Sequence, residues 1–323
     1  MESPSNTASN LLGDLQVAVI VPCRDEAAAI SSVVQDFRAA LPGATVFVYD
    51  NNSDDDTAKV AADAGAVVRS ELLPGKGNVV RRMFADIDAD VYILVDGDDT
   101  YDAASAGKMV EQLEAGILDM VTAVRVSVDD ESYRPGHKFG NFFLTGIVSL
   151  IFGSRSSDLL SGYRAFSRRF VKSFPALTSG FEIETELTVH ALELRMPIGE
   201  IETPYGARPT GSESNLRTIQ DGLRILKTIM VLTKTERPLH FFGLFFVILA
   251  AASIILSWPI LMTYLDTGLV PRLPTAVMST GLMLLAFLSL ASGIILDTVT
   301  RGRQELKRLH YLSIARHRRG KRN

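Results

Sequence analysis

Two long uncharged segments near the C-terminus limit what this chain can fold into more than any other feature. Residues 241–265 and 273–296 contain no charged side chain. A helix of about 20 apolar residues is long enough to cross a bilayer, so each segment meets that requirement. The connector at 266–272 contains Gly268 and Pro271, and the pair is therefore expected to form a transmembrane helical hairpin. The alternative, a helical hairpin buried in a soluble core, is uncommon at this length.

The charge distribution predicts the orientation of this hairpin. Residues 301–323 carry nine Lys or Arg side chains and one Glu, although the whole chain has a net charge of −4. Lys227, Lys234 and Arg237 precede the first apolar segment. Because basic side chains collect on the cytoplasmic side of membrane proteins, the body and both termini are expected in the cytoplasm. A solvated tail without a lipid role is the alternative for 301–323. The acidic remainder argues against nucleic-acid binding.

The first half of the chain alternates short apolar strands with helical stretches. This alternation predicts βαβ units and an α/β fold with a doubly wound, mainly parallel sheet. In such sheets ligands bind beyond the C-terminal ends of the strands. Between 134 and 209 the pattern loosens, and helices and loops are expected there. The strands are predicted at 17–21, 45–49, 66–69, 91–95 and 120–124, and the helices between them at 27–40, 57–64, 77–87 and 104–115.

The residues that follow these strands are polar, but they are not rich in glycine. Residues 22–26 read PCRDE, and neither a dinucleotide-binding G-x-G-x-x-G nor a P-loop occurs in the chain. Dinucleotide-dependent enzymes, P-loop proteins and sugar nucleotidyltransferases are therefore disfavoured. Cys23 is the only cysteine, which excludes intramolecular disulfides and a Cys-based zinc cluster.

Acidic side chains end the second and fourth predicted strands. Asp50 is placed to accept hydrogen bonds from a base or a ribose. Asp96 and Asp98 are two residues apart in an extended segment, so their carboxylates can point the same way. Two such carboxylates suit a hard divalent cation that also binds a diphosphate. A simple turn is the alternative, because D-x-D is a common sequence.

Several of these segments together resemble a known family. The sequences PCRDE at 22–26, DNNSDDDT at 50–57, PGKGNVVRRMF at 74–84 and VDGDDT at 95–100 resemble the family 2 glycosyltransferases with a GT-A fold. The segment SDLLSGYRAF at 157–166 is similar to an element of the polyprenyl-phosphate sugar synthases, of which dolichyl-phosphate mannose synthase is the best known. The resemblance spans about 16–240 and implies a nucleotide-sugar donor.

The resemblance implies roles for individual residues. Asp96 and Asp98 would hold Mg²⁺ or Mn²⁺ and the diphosphate, and Asp158 matches the acid proposed as the catalytic base. An acceptor phosphate is largely dianionic at pH 7 and needs no base, so Asp158 could instead position the acceptor. Asn215 stands where the family's mobile loop would have a Lys. The residues expected to bind the nucleotide-sugar are Pro22, Arg24, Glu26, Asp50, Lys76, Asp96, Arg164 and Arg208.

Two further segments leave alternatives open. Arg134, His137 and Lys138 precede an apolar run at 139–152 that is too short to span a bilayer. They would suit the phosphate of a polyprenyl acceptor, or they are solvated residues beside a core helix. The acidic residues of 182–186 alternate as on an exposed strand or in a loop.

The sequence therefore predicts a membrane-anchored glycosyltransferase. It would move a hexose or a hexose derivative from a UDP- or GDP-sugar to a polyprenyl phosphate, with inversion and at a lipid bilayer. The sequence is also compatible with a homo-oligomer. The alternatives are another lipid or glycan acceptor, or a non-catalytic subunit that binds sugar nucleotides. Processive synthases typically carry a Q-x-x-R-W element. Such a synthase is disfavoured because the only tryptophan of the chain, Trp258, lies in the first apolar segment. The expected parts are a disordered N-terminus at 1–14, a GT-A catalytic domain at 15–215, an interfacial or juxtamembrane helix at 216–238, two transmembrane helices at 239–299 and a basic tail at 300–323.

Overall fold

The computed structural model describes residues 15–127, 146, 157–175, 180, 182–209 and 218–317, with the backbone only for 218–225. The chain forms two compact units. The first comprises Met1–Leu226 together with Lys307–Asn323, and the second comprises Lys227–Leu306.

The first unit contains a seven-stranded sheet in the order β3-β2-β1-β4-β6-β5-β7. Only β6 runs antiparallel to its neighbours, β4 and β5. The strands are β1 (Val17–Cys23), β2 (Thr45–Asp50), β3 (Val67–Ser70), β4 (Val91–Leu94), β5 (Met120–Ser127), β6 (Arg164–Ser167) and β7 (Ile198–Tyr205). The helices of this unit are α1 (Ile30–Ala40), α2 (Thr57–Asp63), α3 (Lys76–Asp86), α4 (Ser105–Ala115), α5 (Arg168–Ser173) and α6 (Ile183–Glu193).

Helices cover both faces of this sheet, which explains the nearly continuous apolar character of its central strands. Val19 and Val21 of β1 face one core, to which α1 and α4 contribute. Ala18 and Ile20, which alternate with them, face a second core built with α3, α5 and α6. Strands buried on both faces read as unbroken apolar runs. The predicted doubly wound, mainly parallel sheet is therefore confirmed, and four of its five predicted strands begin at the predicted residue.

The region between 157 and 205 differs from the prediction. It contains two strands, β6 and β7, where only helices and loops were expected. The short β6 lies between β4 and β5, and β7 is an edge strand of mixed polarity. The segment with Glu182, Glu184 and Glu186 was interpreted as a strand or loop, but it forms the start of α6.

The second unit contains two long apolar helices, α8 (Pro238–Thr267) and most of α9 (Leu273–Ser313), preceded by the end of α7 (Thr218–Glu236). Both helices are long and apolar enough to cross a membrane. The Ser253 hydroxyl donates to Ser279 O at 2.7 Å, and the Ser289 hydroxyl to Phe242 O at 2.9 Å. Gly268, with φ +69°, ends α8 in the left-handed conformation that glycine favours.

The end of the chain differs from the basic, headgroup-facing tail expected at 300–323. Helix α9 continues to Ser313, and residues 307–317 pack against other parts of the first unit. Tyr311 is buried in the second core and donates a hydrogen bond to Asp119. Lys307 pairs with Glu193 at 2.9 Å, and Arg316 donates to Leu113 O at 2.6 Å. This part of the tail is thus bound to protein.

Candidate active site

Four carboxylates, those of Glu26, Asp50, Asp96 and Asp98, surround Cys23 near the ends of β1, β2 and β4. These strands are parallel neighbours, and Cys23 at the end of β1 lies in register with Asp50 at the end of β2. The Cys23 thiol is buried, and its pKa is raised by burial and then by the charges of Glu26, Asp96, Asp50 and Asp98. This edge of the sheet is therefore a site of negative charge, suited to a cation.

Asp96 and Asp98 lie close together, as the D-x-D spacing predicted. Burial, and after it the negative charge of Asp96, raises the pKa of Asp98. Thr100 donates to Asp98 Oδ1 at 2.7 Å, and Arg208 Nη2 lies 2.6 Å from Asp98 Oδ2. The side chain of Asp96 is 30% exposed, against 5% for Asp98. Asp96 is thus the carboxylate more open to a ligand.

Lys76 brings a buried positive charge to this pair. It is the first residue of α3, and its ammonium contacts both Asp96 and Glu184. Burial opposes its charge, but the carboxylates of Asp96 and Glu184 overcome this effect and raise the pKa of Lys76. Lys76 therefore remains a cation at neutral pH.

The loop that precedes α3 is held in place by Asn51. The Asn51 side chain donates to Glu71 O and Leu73 O at 2.7 and 2.8 Å, and it accepts from Gly75 N at 2.7 Å. Beside it, Asp50 Oδ2 accepts from Ser53 N at 3.4 Å. The buried Asp50 Oδ1 has no hydrogen-bond partner within the described residues. A free acceptor at this position suits an N–H or O–H group of a ligand.

Arg208 and Glu26 extend the site towards β1. Arg208 Nη1 lies 3.7 Å from Glu26 Oε1, and Glu26 N donates to Thr57 Oγ1 at 2.9 Å. Arg24 is half exposed and lies 3.4 Å from Asp25. Pro22, which precedes Cys23 at the end of β1, is partly buried. These residues, which were expected to bind the nucleotide-sugar, thus lie near the C-terminal end of β1.

Gly162 lies directly against Asp96. A Cβ at this position would lie 2.3 Å from Asp96 Oδ2, so a larger residue would displace the Asp96 carboxylate from its present position. Gly162 N donates to the Tyr101 hydroxyl at 2.9 Å. The SGYR segment therefore shapes the space beside the D-x-D carboxylates.

Asp158 is held by Arg125, a residue that the sequence analysis did not select. Arg125 Nε and Nη2 donate to the two oxygens of Asp158 at 2.7 and 2.8 Å. The Arg125 guanidinium also lies 5.4 Å from the centre of the Tyr205 ring. The bidentate geometry fixes the orientation of the Asp158 carboxylate. No local pattern signals this pair, because its members are 33 positions apart.

The similarity of this chain to known proteins agrees with the arrangement of these site residues. The family model for glycosyl transferase family 2 matches residues 18–174. Glycosyltransferase AglJ of Haloferax volcanii is 36% identical over 233 residues, which cover 70% of this chain and 75% of that protein. The chain belongs to glycosyl transferase family 2. It is therefore a glycosyltransferase, as the D-x-D and SGYR segments implied.

A second relative and a solved structure add detail about what the glycosyltransferase resembles. Dolichyl-phosphate hexose transferase of Haloferax volcanii is 27% identical over 221 residues, or 68% of this chain and 95% of that protein. Glucosyl-3-phosphoglycerate synthase from Mycobacterium tuberculosis, in complex with Mn²⁺, uridine-diphosphate-glucose and phosphoglyceric acid, superposes with a TM-score of 0.60 at 21% identity. The superposition covers 72% of this chain and 84% of the synthase. The fold of the first unit is thus GT-A-like, as predicted.

The residues of the glycosyltransferase fit a divalent cation that is shared with a substrate. No group of three or more His, Cys, Asp or Glu side chains forms a complete metal site within the described parts of the chain. Two neighbouring carboxylates, those of Asp96 and Asp98, are present instead. Mg²⁺ and similar cations are commonly held by one or two carboxylates, with substrate phosphates and water completing the shell. The carboxylates suit that arrangement.

Arg164 differs from its predicted role as a phosphate ligand. Its side chain is fully buried as the first residue of β6. It donates to Leu159 O at 2.7 Å, to Ser161 O at 3.0 Å and to Thr188 Oγ1 at 2.8 Å. A guanidinium with three protein acceptors and no exposed surface holds the 158–162 loop in place. Its hydrogen bonds go to protein oxygens.

Arg164→Met is therefore expected to act on stability. Two backbone carbonyls would lose buried donors, which lowers the free energy of unfolding by about 2–4 kcal/mol. The measurement is unfolding of the ligand-free protein in detergent micelles. A variant that unfolds like the wild type but binds nucleotide poorly would restore the phosphate-ligand interpretation.

The remaining predicted site residues cannot be placed. Arg134, His137 and Lys138 lie outside the described residues, as does Asn215 of the expected mobile loop. The sequence analysis also missed the contact of Glu184 with Lys76, since it expected the acidic residues of 182–186 at an exposed position.

Proposed function

We propose that this glycosyltransferase moves a hexose from a UDP- or GDP-sugar to a polyprenyl phosphate, with inversion and with Mg²⁺ or Mn²⁺. The observation that carries the proposal is the cluster of Asp96, Asp98, Lys76 and Arg208 beyond the ends of the parallel strands. The carboxylates of this cluster suit a metal ion. Its two positively charged side chains, Lys76 and Arg208, are largely buried and suit a diphosphate. The solved neighbour that contains Mn²⁺ and uridine-diphosphate-glucose supports it.

In the proposed reaction the chain's own residues hold the donor and stabilise its leaving group. Asp50 Oδ1 accepts from the base or the ribose. Arg208 and Lys76 donate to the diphosphate as negative charge develops on it. Asp96 and Asp98 would hold a divalent cation, which would supply further charge neutralisation for the same diphosphate.

The acceptor is inferred from two observations. One relative is named dolichyl-phosphate hexose transferase, and the second unit carries two long apolar helices. A phosphate acceptor that is largely dianionic at pH 7 can attack the anomeric carbon without a base. Asp158 accepts two hydrogen bonds from Arg125, and in this proposal it orients Arg125 towards the acceptor.

The second unit is proposed as the membrane anchor. Leu244, Ile255, Leu265 and Leu288 are more than half exposed in it. A core helix of a soluble protein would bury such side chains, whereas a lipid-facing helix exposes them. Both termini are proposed to lie in the cytoplasm, because Lys and Arg side chains flank the hairpin on both sides.

This topology predicts the labelling of single-cysteine variants. Val270→Cys, in the connector, should react with an impermeant maleimide in right-side-out vesicles, while Glu305→Cys should react only after lysis. The native Cys23 is buried and gives little background. The reverse pattern of labelling would show the opposite orientation.

The activity is tested by product analysis on the purified full-length protein. Undecaprenyl phosphate is incubated with a panel of radiolabelled UDP- and GDP-sugars, with Mn²⁺ and with EDTA. One labelled lipid that is cleaved by mild acid and that appears only with metal is the expected result. Metal-dependent nucleotide binding without any lipid product would contradict the polyprenyl-phosphate acceptor and favour another acceptor.

A further inference from the structure

Glu184 is a buried carboxylate close to the proposed cation site. It lies in the first turn of α6 and is 4% exposed. Its Oε1 lies 2.5 Å from Lys76 Nζ. A buried carboxylate is costly unless it is paired, so the contact with Lys76 stabilises Glu184 in this position.

The same ammonium of Lys76 also contacts Asp96. An ammonium has three donors and can bond two carboxylates at once. Asp96 is the more open carboxylate of the D-x-D pair, with 30% of its side chain exposed. A divalent cation that binds Asp96 Oδ1 must therefore compete with Lys76 for that oxygen, and Glu184 is the second partner that Lys76 keeps.

We propose that Glu184 is a positioning residue that determines how strongly Lys76 competes with a divalent cation for Asp96. With Glu184 present, Lys76 retains a carboxylate when the cation takes Asp96, and it stays beside the diphosphate. Without Glu184, binding of the cation would separate the buried ammonium from both carboxylates that hold it here. The inference rests on the proposed function, since it requires a cation at Asp96.

The test measures the Mn²⁺ affinity of the full-length protein in detergent micelles, without donor or acceptor, from the electron paramagnetic resonance signal of free Mn²⁺. Glu184→Gln should weaken binding by about tenfold, because the ammonium is then held by Asp96 alone. Glu182→Gln, which removes the same charge two residues away, is the matched control and should stay within about twofold of the wild type.

A double-mutant cycle with Lys76→Met separates positioning from a general loss of negative charge. In the Lys76→Met background the competing ammonium is absent, so Glu184→Gln should change the Mn²⁺ affinity by less than about twofold. An unchanged affinity of the single Glu184→Gln variant, or an equal loss in both backgrounds, would overturn the inference.

Folding and metal dependence are controlled separately. If Glu184→Gln does not fold, Lys76→Met alone decides, since removal of the competitor should strengthen Mn²⁺ binding and a weaker affinity would contradict the proposal. A wild-type protein that folds and binds nucleotide but no Mn²⁺ would instead overturn the metal-dependent function, and the role of Glu184 with it.

Discussion

Asp98→Asn should lower the turnover of the glycosyltransferase by roughly a thousandfold, because it removes charge from the place where the leaving diphosphate is stabilised. Asparagine has nearly the same shape, so the neighbouring chain stays in place. The amide leaves a single carboxylate, Asp96, for the cation. It also removes the ion pair that holds Arg208 at 2.6 Å. Two contributions to stabilisation of the leaving group are thus lost together.

The adjacent residue provides a matched control for this prediction. Asp99 has φ +57°, a conformation that asparagine tolerates well. Asp99→Asn therefore removes the same charge one position away without strain, and it should keep turnover within about twofold of the wild type. The measurement is initial rate at saturating Mn²⁺ and donor, with thermal unfolding to verify the fold. An Asp98→Asn enzyme that retains a tenth of the wild-type rate would remove Asp98 from the catalytic machinery.

The residues that sequence reasoning located are those whose position depends on local pattern. The strands from β1 to β5 are apolar runs with turn residues at their ends, and their order follows from βαβ alternation. Once these strands are parallel, Asp50 and Asp96 must meet at one edge of the sheet. The acidic cluster of the candidate site could therefore be predicted without coordinates.

The residues that it misjudged are paired across long stretches of sequence. Glu184 contacts Lys76, and Arg125 contacts Asp158, and neither contact follows from periodicity. The acidic residues of FEIETEL alternate as in an exposed strand. They lie in helix α6 instead, where Glu184 is buried because it is paired with Lys76. Arg164 has the chemistry of a phosphate ligand. Only its burial shows that backbone carbonyls already occupy its donors.

The basic C-terminal tail was misjudged for a related reason. Its positive charges suit a membrane surface as well as they suit acidic groups on a protein. The structure shows that Lys307 and Arg316 contact the first unit, and that Tyr311 is buried there. Composition alone cannot distinguish these two environments, since Tyr311 is buried whereas the neighbouring Leu309 and Leu312 are exposed.

Asp119→Ala should have the largest effect on stability, because the Asp119 carboxylate joins this C-terminal segment to the sheet. Its side chain is fully buried just before β5. It accepts from Ser167 Oγ at 2.6 Å, from Arg169 Nε at 2.8 Å and from the Tyr311 hydroxyl at 2.5 Å. Removing one member of a buried ion pair and leaving its partners unpaired costs about 3–5 kcal/mol. The free energy of unfolding of the full chain in detergent micelles is the quantity to measure.

The milder substitution Tyr311→Phe tests whether this loss of stability arises from the contact with the C-terminal segment. It removes one hydroxyl and keeps the ring over which the Arg169 guanidinium lies at 4.9 Å. The expected cost is about 1–2 kcal/mol, since Asp119 keeps its other donors. A tail that bound only lipid would leave Tyr311 in contact with headgroups, and the substitution would then be neutral in micelles. Non-additive losses in the Asp119→Ala and Tyr311→Phe pair would show that the two side chains stabilise the fold through one shared contact, which a lipid-bound tail cannot make.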